Sequence, residues 1–444
     1  MRLAPIDDFF LLDDRPTHPM TFTSHLYFTG DVCRDAFTEA LEAALLRHPL
    51  LIALVKPLKG NRPCWVSSDG LRPEVHWGKL GELYELRSGE GIDLTKEVGL
   101  RIWVRRGNER SEILLQFHHS CCDGTGAYRF IGDLLAEYGR RTAAEGAELP
   151  ELEDCDPQLL RQRRLKMARV YVDGRAWTVI RKAIGHGWKV FCTRVTPMAA
   201  PHQEVVAQYG PQMPFPGVQS YQFSKQEHLK LRAVASEAGV MLNDLLMAEM
   251  FRVLKDWNIR HGQMRQQQLR IMMPTDLRDK EDLMMPAANM TAYSYLTRRA
   301  RECVEGVQFL RGIRDETALI KHERRGQVFI DAIMSASRVP GLLKFLLNRR
   351  SCLATMTLSN VGDPTRRFLA RFPRQQGKIV AGNLVLDRIS GVPPLRPMMR
   401  GTVAIVTYCR ELAINIRCDP QTITAEDARE LLDAYAARLR SNLA

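Results

Sequence analysis

Apolar and polar positions along the chain follow two rhythms, one of period two and one near 3.6 residues, and each predicts its own kind of element. "TFTSHLYF" (Thr21–Phe28), rich in aromatic and β-branched residues, predicts a strand. Phe37, Leu41, Ala44 and Leu45 then recur at helical spacing, with Asp35 expected as the cap. "LLIALV" (Leu50–Val55) reads as a buried strand. "LRIWVRR" and "EILLQFHH" read as two more, joined across the turn "GNER". From about Thr125 the pattern turns helical, with Phe130, Ile131, Leu134, Leu135 and Tyr138 on one face. Gly124 and Gly126 are expected to make the turn between that strand and that helix.

The second half repeats the style without a sequence repeat. Ser224 and Glu227 form a capping-box pattern that opens a helix through Leu229, Leu231 and Val234, and Gly239 ends it. Asn243–Leu254 predicts a strongly apolar helix, Leu269–Arg278 a strand running into a loop, and Glu411–Asp419 another strand. Thr424 and Asp427 open a terminal helix with Ala428, Leu431, Leu432, Tyr435 and Leu439 along one face. Strands and helices in two halves of comparable size place the chain in the α/β or α+β class.

His118, His119, Cys121, Cys122 and Asp123 fall within six consecutive residues at the end of a predicted strand. Successive strand residues point to opposite faces, so the two imidazoles cannot both enter one site while the strand is regular. That weighs against a metal cluster, whose ligands must converge from several directions. The vicinal cysteines read as small buried side chains, the common fate of a free thiol. "GTG" is not a phosphate-loop pattern. One histidine facing a cleft remains, with a carboxylate four residues on, and neutral imidazole suits a general base near neutral pH. A histidine pair by itself is more often structural than catalytic; the tight strand–turn–helix setting raises the odds of the catalytic reading, and the residues alone leave both open.

At 444 residues the chain exceeds one ordinary core, which favours two domains or two halves. No apolar run reaches the length of a spanning helix, and "MRLAPIDDFF" carries acids where a signal peptide needs an apolar core, so a cytoplasmic protein is expected. Ten scattered cysteines include no CxxC pair, and reduced thiols without zinc are expected. The formal charge of +12 is concentrated: residues 161–200 hold ten basic groups against Asp173 alone, a net of +9. This segment also carries Leu160, Trp177, Trp188 and Phe191 around it, and an acidic stretch from Glu145 to Asp156 precedes it. A surface for anionic lipid or a polyanionic co-substrate, and a solvated helix pair between halves, fit it about equally. Nucleic acid is not expected, because no matching motif accompanies the charge.

"HHSCCDG" resembles the HHxxxDG signature of acyl-CoA-dependent acyltransferases and peptide-synthetase condensation domains. "LAPIDDFFLLDDRPTHPM" (Leu3–Met20) is similar to the opening of the wax ester synthase/diacylglycerol acyltransferase group, and "ALLRHPLL" to the superfamily's first helix and second strand. "EAGVMLNDLLMAEMFRVLKDW", "MMPTDLR" with the later Asn289, "LSNVGDP" (Leu358–Pro364) and "LAINIRCD" resemble its second half. The likeness spans nearly the whole chain, with gaps at 155–215 and 300–350.

The resemblance implies a chloramphenicol acetyltransferase-like fold, a pseudo-dimer of two similar α/β lobes with a tunnel between them. The lobes are expected at 1–155 and 216–444, with 156–215 a basic amphipathic linker. It implies that His119 is the base, taking a proton from a hydroxyl or amine as that attacks an acyl thioester, and that His118 is structural. Asp123 becomes an anchor paired with an arginine from the other half, for which Arg278 is the candidate. Gly124 keeps the acyl approach clear. Ser359 and Asn360 are candidates for oxyanion or substrate positioning, with Asn289 and Thr275 behind them. No metal and no resident cofactor is implied; acyl-CoA serves as co-substrate, with a lipid or other hydrophobic alcohol as acceptor. A monomer is expected, with peripheral contact to an anionic membrane through 161–200. The alternatives are an amide-forming condensation enzyme fed by carrier-protein thioesters, and a binding protein on the same scaffold.

Overall fold

Period-two segments become strands and 3.6-period segments become helices, most of them where the pattern places them. The computed structural model describes residues 1–444 except 59–61, 87, 169–184, 186–192, 202–213, 264–266, 324, 350 and 444. In chain order the strands begin with β1 (Thr21–Thr29), β2 (Ala53–Leu58), β3 (Arg62–Ser67), β4 (Val75–Lys79), β5 (Leu100–Arg106) and β6 (Arg110–His118). They continue with β7 (Gln219–Phe223), β8 (Gln268–Asp276), β9 (Thr291–Arg299), β10 (Met356–Gly362) and β11 (Arg374–Gln375). The last four are β12 (Lys378–Ala381), β13 (Leu384–Val392), β14 (Gly401–Tyr408) and β15 (Glu411–Cys418). Helices α1 (Pro5–Asp13), α2 (Arg34–Arg47), α3 (Gly124–Thr142) and α4 (Gln158–Ala168) belong to the first part of the chain.

The chain divides into two compact units, and neither is continuous in sequence. One comprises 1–172, 276–291 and 363–391; the other comprises 173–275, 292–362 and 392–444. These boundaries differ from the expected lobes at 1–155 and 216–444. The reason lies in strand pairing. β13 lies beside β1, so the chain must return to the first unit late, and the segment 276–291 makes a second, shorter return.

The first unit is built on a seven-stranded sheet of order β11-β12-β13-β1-β6-β5-β4. β6 pairs antiparallel with both neighbours, Thr21 lying opposite His118 on one side and Leu100 opposite Phe117 on the other. Phe22, Leu26, Phe28, Ile113, Leu115 and Phe117 alternate along β1 and β6 and are all buried. α3 buries Phe130, Ile131, Leu134, Leu135 and Tyr138, the face its periodicity predicts.

The second unit carries a six-stranded sheet of order β7-β15-β14-β10-β8-β9, in which β10 runs parallel to β8 and β14. The Ser224–Glu227 capping box is formed, and Gly239 takes a left-handed φ of 71° just past the helix Lys225–Glu237. The terminal helix Ala425–Ser441 starts at Thr424 and packs on the helix Leu242–Arg260, where Tyr435 donates to the Leu246 carbonyl.

Four local expectations change. Leu50–Val55 is not one strand: Pro49–Ile52 forms a 3₁₀ turn, proline's fixed φ suiting its first position, and β2 begins at Ala53. Asp35 lies inside the first turn of α2, where it meets the helix dipole, while Cys33 occupies the cap position without a side-chain bond. The apolar helix of the second unit runs past Leu254 to Arg260, because Trp257 is buried on its last turn. Gly124 and Gly126 belong to the first turn of α3, for which Asp123 is the N-cap.

Candidate active site

β6 ends at His118, but the ladder holds both histidines: His118 N–H donates to the Gly99 carbonyl at 2.9 Å and His119 N–H to the Met20 carbonyl at 2.7 Å. The rings diverge. His118 is fully buried, its Nδ1 accepts the Ser120 N–H at 3.1 Å, and the proton therefore sits on Nε2, 3.7 Å from an Asp14 carboxylate oxygen. His119 stacks flat on Phe10, with ring centroids 3.9 Å apart at 9°, and Phe22 lies 5.0 Å away.

Burial in this aromatic setting pushes the His119 pKa down to about 4, against smaller opposing pulls from its own backbone carbonyl and from Asp123. The ring is neutral at pH 7. The Nδ1 side faces two groups: the residue's own carbonyl, and the Asn289 amide nitrogen at 3.4 Å. The amide nitrogen lies far nearer the His119 carbonyl, to which it donates at 2.7 Å, so the 3.4 Å contact is the weak one. Nδ1–H toward the carbonyl is then the consistent tautomer, leaving the lone pair on Nε2. Nε2 carries no hydrogen bond among the described residues.

Asp123 closes the turn after the histidines. Oδ1 accepts the Gly126 N–H at 2.8 Å and Oδ2 the Met290 N–H at 2.8 Å. Arg278 grips both oxygens, Nη1 at 2.7 Å and Nη2 at 2.9 Å, and reaches Asp276 at 3.1 Å. Burial alone would raise the Asp123 carboxyl, but the guanidinium and these N–H donors hold it below the usual carboxylate range. Arg278 comes from the second half of the sequence yet belongs to the same compact unit as Asp123.

The segment Met285–Thr291 is irregular and mostly buried, so its backbone polar groups need partners. Many of them are claimed. Arg129 donates to the Met285 carbonyl, and the Ala287 N–H donates to His48 Nδ1. The Ala288 carbonyl accepts from Arg278 and from the Asp123 N–H, and the Asn289 carbonyl accepts from Arg163. The Leu277 N–H reaches the Met290 carbonyl. Sequence reasoning marked only Asn289 here and missed His48, Arg129 and Arg163. A buried, turn-forming stretch rich in alanine offered no periodic signal.

The other candidates lie as follows. A Cβ at Gly124 would meet open space, whereas one at Gly126 would lie 2.7 Å from the Ala288 oxygen, so the close backbone approach is at Gly126. Ser359 is half-buried on β10 of the second unit, and Asn360 is exposed there, donating to Asn243 and accepting from the Gly362 N–H. Thr275 contacts Ser294 at 3.3 Å in the same unit. Cys121 and Cys122 are buried free thiols whose pKa values burial raises. His48, Asp133 and Cys155 offer donor atoms within 4.8 Å of one another. Those atoms are already committed, since the Arg47 guanidinium donates to the same Asp133 oxygen that His48 meets, and a metal cation there would face its charge. Of the basic segment, 169–184 and 186–192 fall outside the described residues. Within α4, Arg161 is exposed, but Arg163 is buried against Asp7 and Lys166 pairs with Asp279 and Asp282. The start of the segment is therefore not a uniform cationic surface. No helix among the described residues is long and apolar enough to cross a membrane.

No family model matches the chain. An uncharacterised Mycobacterium tuberculosis protein is 22% identical over 349 residues, covering 78% of this chain and 77% of that one. Another from the same organism, named as a candidate diacylglycerol O-acyltransferase, is 22% identical over 324 residues, covering 66% of this chain and 62% of that one. The first condensation domain of the calcium-dependent antibiotic synthetase superposes with a TM-score of 0.69 at 13% identity, covering 100% of this chain and 96% of that one. Polyketide synthase associated protein 5 from Mycobacterium tuberculosis gives 0.62 at 16% identity, over 100% and 98%. A starter condensation domain of rhizomide synthetase, solved with C8-CoA and Leu-SNAC, gives 0.65 at 12% identity, over 100% and 94%. The fold is that of the condensation domains, the chloramphenicol acetyltransferase-like one.

Proposed function

We propose that the protein transfers an acyl group from an acyl-CoA thioester to a hydroxyl acceptor, a lipid or other hydrophobic alcohol, with His119 as general base. The carrying observation is a neutral, aromatic-stacked imidazole with its Nδ1 turned to its own carbonyl and its Nε2 free of hydrogen bonds among the described residues. In the reaction the acceptor oxygen attacks the thioester carbonyl while its proton moves to Nε2. The tetrahedral oxyanion collapses, the C–S bond breaks, and the proton passes from Nε2 to the departing thiolate. Ester and free thiol are the products. A ring with a pKa near 4 is a weak base before attack, so proton transfer must accompany C–O bond formation, when the hydroxyl becomes acidic. The imidazolium then forms together with an oxyanion, which offsets the cost of a buried charge. Asp123 and Arg278, locked on each other, hold the turn and do not take the proton.

The acyl-CoA donor draws support from the starter condensation domain that binds C8-CoA in the same fold, and the hydroxyl acceptor from the relative named for diacylglycerol acylation. The likeness to condensation domains favours a second reading, amide formation from carrier-protein thioesters.

Thiol release is the test. Acyl-CoAs of several lengths are mixed with alcohols, diglycerides or amines, and with carrier-bound thioesters in a parallel arm. Acceptor-dependent release from acyl-CoA is expected, and His119→Ala should lose on the order of 10²–10⁴-fold in rate. Turnover equal to wild type in the variant removes the base assignment, and turnover only with carrier-bound donors and amines selects the second reading.

A further inference from the structure

We propose that Arg163, on the helix α4 that opens the basic segment, is a positioning residue for the His119 imidazole, acting through the backbone of Asn289. This rests on the acyl-transfer reading for its consequence in rate but not for its geometry.

By composition Arg163 is one of ten cations on a stretch that reads as surface. By position it is the opposite, 1% exposed. Its guanidinium forks onto the Asp7 carboxylate, Nη1 at 3.0 Å from Oδ1 and Nη2 against Oδ2, and Nη1 also donates to the Asn289 carbonyl at 3.0 Å. A planar fork suits this double duty, because its donors have fixed directions and its charge is delocalised. Asp7 is held in turn by the Ala4 N–H at 3.0 Å and the Trp65 indole N–H at 3.1 Å, so the acceptor end is itself fixed.

Two lines run from this fork to the histidine. Through Asn289, the carbonyl is held by Arg163 while the side-chain amide donates to the His119 carbonyl, the group that orients Nδ1–H. Asn289 Oδ1 also accepts the Thr291 N–H at 3.1 Å, which fixes the amide plane. Through Asp7, the backbone carbonyl accepts the Ser120 hydroxyl at 3.0 Å, one residue past His119, and Asp7 shares α1 with Phe10, on which the imidazole stacks. Arg163 therefore ties the stacking platform and the carbonyl anchor of the ring together. Lys166, one turn on, pairs with Asp279 and Asp282 and holds α4 to the same return segment. Linked hydrogen bonds of this kind polarise one another in a low-dielectric interior.

The experiment compares wild type with Arg163→Lys, Arg163→Met and the exposed neighbour Arg161→Gln. Arg163→Lys keeps a charge for Asp7 but cannot supply the fork, so it remains informative where Arg163→Met fails to fold. Nitrogen-15 NMR of the imidazoles, with His119 identified by its loss in His119→Gln, reads the ring's tautomer and its pKa without any substrate. In wild type and Arg161→Gln the Nδ1–H form should dominate and the ring should stay neutral to below pH 5. In Arg163→Lys the Nε2–H form should gain, and the pKa should fall below its wild-type position, because the carbonyl contact that favours the protonated ring is weakened while its burial remains. Thiol release should then show kcat lowered roughly tenfold to a hundredfold, with KM little changed, as expected for an ångström-scale misplacement. A folded Arg163→Lys with wild-type tautomer and pKa overturns the proposal. A wild type that releases no thiol from any donor sinks the acyl-transfer reading, while the NMR comparison still decides the positioning role.

Discussion

At the scale of single residues, the neutral state of His119 has a consequence for stability as well as for chemistry. Its pKa in the folded chain is about 4, below the ordinary value, so between pH 6.5 and 4 the unfolded chain binds a proton that the folded chain refuses. Stability must then fall as pH falls through that window, by about 2 kcal/mol at pH 5 and about 3 kcal/mol once both pKa values are passed. His25 and His48, both buried and both lowered by burial, act in the same direction. Urea unfolding at pH 7.5 and pH 5 should show the loss, and His119→Gln should lose about 2 kcal/mol less over the same interval. Identical pH dependence in the two proteins would show that the ring titrates normally. In kinetics the same shift predicts a kcat/KM that stays level between pH 8 and 5.5, with no histidine limb near 6.5.

At the scale of elements, the turn from β6 into α3 separates two glycines that look alike in sequence. Gly124 opens onto free space, while a methyl at Gly126 would press on the Ala288 backbone oxygen at 2.7 Å and nitrogen at 2.8 Å. Gly126→Ala should cost about 1–3 kcal/mol, the range of overpacked interiors, and should disturb the Asp123 cap that the Gly126 N–H serves. Gly124→Ala should change stability by under about 1 kcal/mol, so any loss of its thiol-release rate would come from the space the methyl fills. Chemical unfolding of the two variants separates them, and equal stabilities would contradict the packing. The contrast also marks what could be read in advance. The strand–turn–helix, its buried face and the divergence of His118 and His119 were legible, because periodicities of two and 3.6 are local properties. Which glycine meets a backbone was not, because that backbone, at Ala288, lies more than 160 residues away in a stretch without a pattern. Arg163 was misread for the same reason: charge counted along a chain says nothing of which guanidinium faces inward. The irregular return segment, which binds Asp123, Arg278, His48 and Arg163 together, has no sequence signature beyond Asn289.

At the scale of the whole molecule, the discontinuity of the units decides what can fold alone. The resemblance placed a lobe at 1–155, and a fragment cut near there keeps β1 to β6, α2, α3 and the histidines. It lacks β13, so β1 changes from an interior strand to a sheet edge with unpaired N–H and C=O groups along nine residues. It also lacks 276–291, leaving Asp123 as a buried carboxylate without the Arg278 fork and Arg129 without the Met285 carbonyl. Removing one partner of such a pair costs about 3–5 kcal/mol, a large fraction of a domain's stability. Residues 1–172 expressed alone should therefore aggregate, or melt without a cooperative transition by circular dichroism, although α4 and its Arg163 are present. Joining 276–291 and 363–391 to it through flexible linkers restores β11 to β13 and the return segment without an unpartnered piece of the second unit, and cooperative melting of the first unit should reappear with them. A sharp, reversible transition in the short fragment would mean that the late strands decorate a unit already complete, and that the Asp123–Arg278 fork contributes little to holding the site.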